Sequence, residues 1–242
     1  MNKLITLLAA FALVTLARAD TPREKAEDRL QDRLQRAAEV LQQIMNAPDK
    51  GIPEEIVRNA KCIAVVPHEI KGGFIVGARG GKGVATCRTE NGWSAPAFLT
   101  IAGGSFGAQI GIEGVDNVLM IMNERGMDRL LSHKFQIGAE ASAAAGPVGR
   151  HAAAGVDWKL ETEILSYSRA KGIFAGVSLD GAYVGPDADA IRAVYGTNLT
   201  PRKILTEKVR SPEAAQVFLA AVRDAGQKQT ENRNSCSSWK GD

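Results

Sequence analysis

Aromatic residues make up only 5% of this 242-residue chain, and cysteine and histidine occur three times each. So few thiols and imidazoles exclude a zinc ribbon or a disulfide-dense scaffold, which need ligands or bridges at short, repeated spacings. No apolar run reaches the roughly 20 residues that a bilayer-spanning helix requires. Neither charge sign dominates, with 30 Lys and Arg against 27 Asp and Glu. That balance argues against a nucleic-acid or generic polyanion binder despite a sequence pI near 8.8. The remaining composition, 45% hydrophobic and 24% charged with 25 Gly and 9 Pro, is that of an ordinary globular protein.

The N-terminus reads as a signal peptide over residues 1–19. Met1–Lys3 form a short positive region, Leu4–Leu16 an apolar core, and Ala17-Arg18-Ala19 an A-x-A cleavage signal. The alternative is an uncleaved anchor. Without these residues the chain carries 28 basic and 27 acidic residues, a net charge of +1. Export to an oxidising compartment, the periplasm, makes Cys62, Cys87 and Cys236 candidates for disulfide pairing.

Asp20–Met45 carries the pattern of one amphipathic helix, capped by Thr21 with Pro22 at its first position. Ala26, Leu30, Leu34, Ala37, Leu41 and Ile44 recur at steps of three and four and form its apolar stripe. The other faces alternate in charge, which suits a helix docked on the domain or on a partner better than one lying in lipid. After a turn at 46–51 and a short helix at Pro53–Asn59, the period changes to that of strands. Cys62–Val66, Gly73–Val76 and Gly83–Cys87 are β-branched runs separated by Gly, Pro and Lys, and are expected to pair as hairpins. Further runs at Ala97–Ile101, Phe106–Ile112 and Val115–Met122 are punctuated by Gly103-Gly104 and Glu113-Gly114. A short helix falls within Asn123–Ser132. The alanine- and glycine-rich stretch Ile137–Trp158 reads as small-residue strands, and Ile164–Ser168, Ile173–Leu179 and Ala182–Val184 complete the sheet. Helices return at Asp187–Tyr195 and from a cap at Ser211 to Gly226, followed by a polar, disordered tail at 226–242. The expected fold is α+β, with an antiparallel, strongly curved or barrel-like sheet of many short strands between N- and C-terminal helices.

Catalytic motifs fail on context. Gly103-Gly104-Ser105-Phe106-Gly107 fits G-x-S-x-G, but a nucleophile elbow needs a helix after the Ser, and a strand pattern follows. His68-Glu69 opens like H-E-x-x-H, yet Gly72 stands where the second His belongs. His133 and His151 have no Cys or His at ligand spacing. Gly80-Gly81-Lys82-Gly83 lacks the spacing, the hydroxyl and the helix of a phosphate loop. No metal, cofactor or catalytic residue is expected.

Cys62 and Cys87 both fall on strands and are candidates for a cross-strand disulfide, the alternative being two buried thiols. One local charge bias remains. Between Lys61 and Glu90 the balance is +3, from Lys61, Lys71, Arg79, Lys82 and Arg88 against Glu69 and Glu90. If 71–72 and 79–82 are turns at one end of the sheet, Lys71, Arg79 and Lys82 converge on an anionic headgroup. The competing reading is a solubilising hairpin edge. Arg150, Arg169 and Lys171, in glycine-rich turns, are second candidates.

Several segments together resemble the SYLF-domain family. These are Ile52-Pro53 leading to Ala60-Lys61-Cys62-Ile63-Ala64, Lys71-Gly72-Gly73-Phe74, Gly92-Trp93-Ser94-Ala95-Pro96, Gly103–Gly111, Ala144–Arg150 and Ser166–Gly181. The resemblance covers about residues 50–222. It implies a non-enzymatic module that binds membrane lipids, phosphoinositides in eukaryotic members. For this chain the expectation is an exported, periplasmic protein, peripheral to a membrane and binding anionic phospholipid. A signal peptide (1–19), an amphipathic segment (20–50), the SYLF-type domain (51–225) and the tail (226–242) would make up its organisation. The rival expectation is an envelope interaction protein whose N-terminal helix docks to a protein partner or to a second copy.

Overall fold

A computed structural model describes residues 22–47, 51–132, 134–149, 162–170, 173–177 and 179–237. The expected signal peptide, the cap at Thr21, and His133, Arg150, His151 and Lys171 lie outside the described residues.

Helix α1 (Pro22–Met45) buries Leu30, Leu34, Ala37, Leu41 and Ile44, the stripe that its spacing dictates. Each Leu or Ile removed from water there stabilises the docked helix by about 1.5–3 kcal/mol before entropy is counted. It packs against β1 (Cys62–Thr89) and the C-terminal α6 (Gln216–Ser237). The remaining elements are α2 (Glu54–Asn59), β2 (Gly92–Trp93), β3 (Ala97–Ile121), α3 (Glu124–Leu130), β4 (Phe135–Gln136), β5 (Ala143–Ala145), β6 (Ile164–Ala170), β7 (Ile173–Gly176), β8 (Ala182–Pro186), α4 (Ala188–Tyr195) and α5 (Pro201–Thr206). The fold is α+β, a strongly curved sheet between N- and C-terminal helices.

The sheet runs β2-β1-β3-β6-β5, antiparallel except where β5 joins β6. β8 pairs with the N-terminal half of β3 and β6 with its C-terminal half. Six expected short strands are in fact two long ones. β1 and β3 pair from Cys62↔Ile121 to Ala85↔Ala97, so positions 71–72, 79–82, 103–104 and 113–114 are not turns. The glycines there bend the ribbon instead of reversing the chain. Twenty-eight extended residues would span about 90 Å, yet the Cα atoms of Cys62 and Cys87 lie 3.9 Å apart and their sulfurs are bonded. The Arg88 N–H donates to the Lys61 carbonyl at 2.7 Å beside this bond.

Two register shifts accommodate the bend, between Val66 and Glu69 and between Gly73 and Ile75. At the first, His68 has φ +52°, the only positive φ among described non-glycine residues. Where the ribbon's arms cross, Gly83 lies against the Val65 carbonyl and leaves no room for a Cβ.

The C-terminal helices differ from expectation in detail. α5 was not legible as a helix, although Thr200 caps it and Pro201 opens it. Ser211 does not cap the last helix; a 3-10 turn at Glu213–Ala215 leads into α6 from Pro212. α6 also runs beyond Gly226 to Ser237, through much of the segment expected to be disordered.

Candidate functional site

The bend brings the first- and last-third residues of β1 face to face, and that decides what the basic residues do. Arg79 is buried and donates from Nε and Nη2 to the two carboxylate oxygens of Glu69, at 2.5 and 2.8 Å. Asn117 donates to the same carboxylate from β3. This clasp joins the two arms inside the bend and occupies the Arg79 charge. Its geometry satisfies Glu69 fully but leaves the buried Asn117 Oδ1 without a partner.

Lys82 projects to the opposite side, since neighbouring strand positions alternate. Its ammonium reaches Asp187 at 3.0 Å, where Arg33 of α1 also donates at 3.0 Å. Asp187 in turn caps α4 by accepting from the Ala190 N–H. Burial alone would raise the Asp187 carboxyl, but the hydrogen bonds from Lys82, Arg33 and Ala190 outweigh it and hold the group below its ordinary range. Arg33 also lies over the Phe98 ring. One carboxylate thus ties α1, β1 and α4 together. Arg169 is likewise paired, with Asp116 across β6 and β3 at 2.5 Å.

Lys71 is different. It is half-buried and, of the four described candidates, the one that forms no ion pair. Burial lowers its affinity for a proton, and the nearby Arg79 lowers it further. The structure therefore does not gather Lys71, Arg79 and Lys82 into one cradle. Arg79 and Lys82 face opposite sides and serve internal carboxylates, leaving Lys71 at the bend.

On the outer face of the bend are two large apolar side chains that the sequence pattern did not single out. Ile70 is 51% and Ile112 is 85% exposed. Ile70 pairs with Gly114 and Ile112 with Gly72, so they are diagonal neighbours on one face of the ribbon. Ile173, on β7 opposite Ala170, is 60% exposed as well. No local signal marks them in the sequence, because only the long-range register shows that each stands opposite a glycine, which cannot cover it.

The segment Gly103–Gly107 lies within β3, and no helix follows it. The strand–turn–helix setting of a nucleophile elbow is therefore missing. Among the described residues no group of His, Cys, Asp and Glu is arranged to hold a metal ion, and no helix is long and apolar enough to cross a membrane. Away from the bend, an open groove of about 790 Å³ runs past Lys61, Arg88, Trp93 and Lys208. Two of its cations are engaged: Lys61 pairs with Glu124, and Arg88 stacks on Trp93 while donating to carbonyls at the end of α2.

Residues 102–225 match the family described as Ysc84, Las17-binding protein actin regulator. Protein YSC84 of Saccharomyces cerevisiae is 33% identical over 199 residues, covering 78% of this chain and 42% of that protein. LAS seventeen-binding protein 3 of the same yeast is 36% identical over 171 residues, 69% of this chain and 37% of its own length. The human SH3 domain-containing YSC84-like protein 1 is 32% identical over 194 residues, 77% and 56% respectively. The chain thus spans about two fifths to three fifths of the length of these relatives.

Proposed function

This chain belongs to the Ysc84, or SYLF-domain, family, and from that premise we propose that it is a non-enzymatic module binding anionic phospholipid at a membrane surface in the cell envelope. The observation that carries the reading is the bend of the β1–β3 ribbon, where Ile70 and Ile112 stand bare on one face and the half-buried Lys71, opposite Glu113 and in no ion pair, lies at the same level on the other. Apolar side chains exposed on a rigid element gain by entering the acyl boundary, and a cation at the same level gains from anionic headgroups. The ribbon's backbone groups must stay hydrogen-bonded or wet, so the contact is interfacial and the bend rests in the headgroup layer. One ammonium near an anionic surface contributes about 1 kcal/mol, so binding is modest and salt-sensitive.

Co-sedimentation with phosphatidylcholine vesicles, with and without phosphatidylglycerol, tests this. Replacing Ile70 and Ile112 together by Ser should lower binding to both vesicle types, and Lys71→Glu should lower binding to the anionic vesicles alone. If all variants partition like the parent protein, the bend is not the lipid site.

The relatives' names favour a second reading. One is named for binding Las17 and another for an SH3 domain, which points to action in protein assemblies. Here the surface would be the charge-mixed exposed side of α1, and a stable complex or dimer insensitive to vesicles would support it.

A further inference from the structure

Beside the clasp, inside the bend, stands a second pair of opposite charges that does not close. Lys71 and Glu113 are direct partners in the register of β1 and β3. Lys71 is the next residue after Glu69 on the same face of β1, and Glu113 shares its face of β3 with Asn117. Side chains directly opposite on an antiparallel ribbon start about 5 Å apart at Cβ, within easy reach for a lysine and a glutamate. Both are half-buried, yet no ion pair or hydrogen bond joins them, and neither has another such partner among the described residues. Along the ribbon the pair lies between Ile70↔Gly114 and Gly72↔Ile112. It therefore meets the headgroup layer at the same depth as the exposed isoleucines, from the other face.

We propose that Glu113 is a specificity-determining residue of the lipid site, selecting headgroups that carry a primary ammonium, phosphatidylethanolamine above all, with the phosphodiester on Lys71 and the ammonium on Glu113. This rests on the lipid reading above and adds a headgroup preference to it. The charges acting on Lys71 are Arg79, Glu69 and Glu113. With Lys71 they make two cations and two anions, so this side of the bend is electrically balanced. A headgroup of one negative sign gains from Lys71 and is opposed by Glu113 beside it. A headgroup of both signs satisfies each. In ethanolamine two methylenes join the phosphodiester to an ammonium with three N–H donors, and a carboxylate accepts charge-assisted hydrogen bonds from such a group. The quaternary ammonium of choline has the same charge and no donor, so the carboxylate discriminates between two headgroups of equal net charge. Direct pairing of exposed charges is worth little to the fold, which leaves Lys71 and Glu113 free to engage a ligand instead of each other.

The test is co-sedimentation of the wild-type chain and Glu113→Gln with two sets of vesicles of equal surface charge. Both contain the same share of phosphatidylglycerol, the remainder being phosphatidylcholine alone in one set and a mixture with phosphatidylethanolamine in the other. Wild-type binding should rise about fivefold on the ethanolamine vesicles, the size of one charge contact at a surface. Glu113→Gln keeps the shape of the side chain and removes its charge. It should bind the choline vesicles at least as well as the wild type and show no rise with ethanolamine. A rise that persists in Glu113→Gln would come from the looser packing around a smaller headgroup and would overturn the proposal. Equal wild-type binding to both sets would overturn it as well and leave the lipid reading standing. Absence of wild-type binding to either set would defeat both.

Discussion

The two ends of the β1–β3 ribbon and its middle are made by the same pair of strands, with the same antiparallel pairing, and yet have opposite fates. At the ends Ile63, Val65, Val84, Phe98, Leu119 and Ile121 are at most 1% exposed. In the middle Ile70 and Ile112 are open to solvent and most other positions are small. Backbone hydrogen bonding is common to both, so it cannot be what distinguishes them. Cover is. A two-stranded ribbon is marginal by itself, and the middle keeps its shape because the ends are sunk in the core and the Glu69–Arg79 clasp closes the bend. The surface left bare is thus a consequence of bending, with stability concentrated on either side of it.

Breaking the clasp should show the largest effect. Arg79→Met leaves Glu69 buried and uncompensated, for which the expected loss is about 3–5 kcal/mol in urea unfolding. The paired change of Glu69 and Arg79 to apolar residues should recover most of it. A small loss in Arg79→Met would mean that the bend does not depend on the pair. Next comes Gly83→Ala, which forces a methyl group into the Val65 carbonyl and the Val66 side chain where the arms cross. Such overpacking costs about 1–3 kcal/mol or more when backbone must move, and a neutral outcome would show that the arms are not in contact there.

The disulfide is the third stabiliser of the ends. Replacing Cys62 and Cys87 by Ala opens a loop with a sequence separation of 25, which chain entropy values at about 3 kcal/mol. Unfolding should show that loss in the double variant under non-reducing conditions and in the parent when reductant is present. Asp187 comes below these. Its Asn variant keeps the cap on α4 but gives up charged hydrogen bonds to Arg33 and Lys82, a loss of about 2 kcal/mol at neutral pH. The sign with pH follows from its lowered carboxyl. The stabilisation is complete above the ordinary carboxylate value near 4 and fades as pH falls through the lower folded value. Parent and variant should therefore converge in acid, and a gap that persists at pH 2 would show that the pair is not electrostatic.

Helices α1 to α4 were legible because burial is periodic in them, whereas α5 was not: the α1 stripe is where spacing puts it, and Asn123 and Asp187 cap α3 and α4 by side-chain chemistry that a sequence shows directly. The length of the strands was not. Gly72-Gly73, Gly80-Gly81 and Gly103-Gly104 look like turn signals, and only long-range pairing decides whether a glycine reverses a chain or lets it curve. The same error misplaced the candidate site. With 79–82 taken as a turn, Lys71, Arg79 and Lys82 would converge, whereas in a continuous strand odd and even positions diverge. Glu69, Asn117 and Asp187, which consume two of those cations, come from places distant in sequence and carry no local signature. Cys62 and Cys87 could be named as partners because both lie on β-branched runs, but the crossing that joins them follows from the bend.

The smallest expected effect is the one that most sharply separates middle from ends. At Gly80 an added Cβ would find its nearest neighbour 4.0 Å away, at the Ile101 carbonyl, and φ there is not in the left-handed region. Alanine should therefore fit, and by restricting the unfolded chain it should stabilise the fold by about 0.5 kcal/mol. Gly83, three residues on in the same strand, should respond with the opposite sign. Equal losses at both positions would mean that the middle of the ribbon is packed as tightly as its ends, and the contrast between a covered and an uncovered region would then have no physical basis.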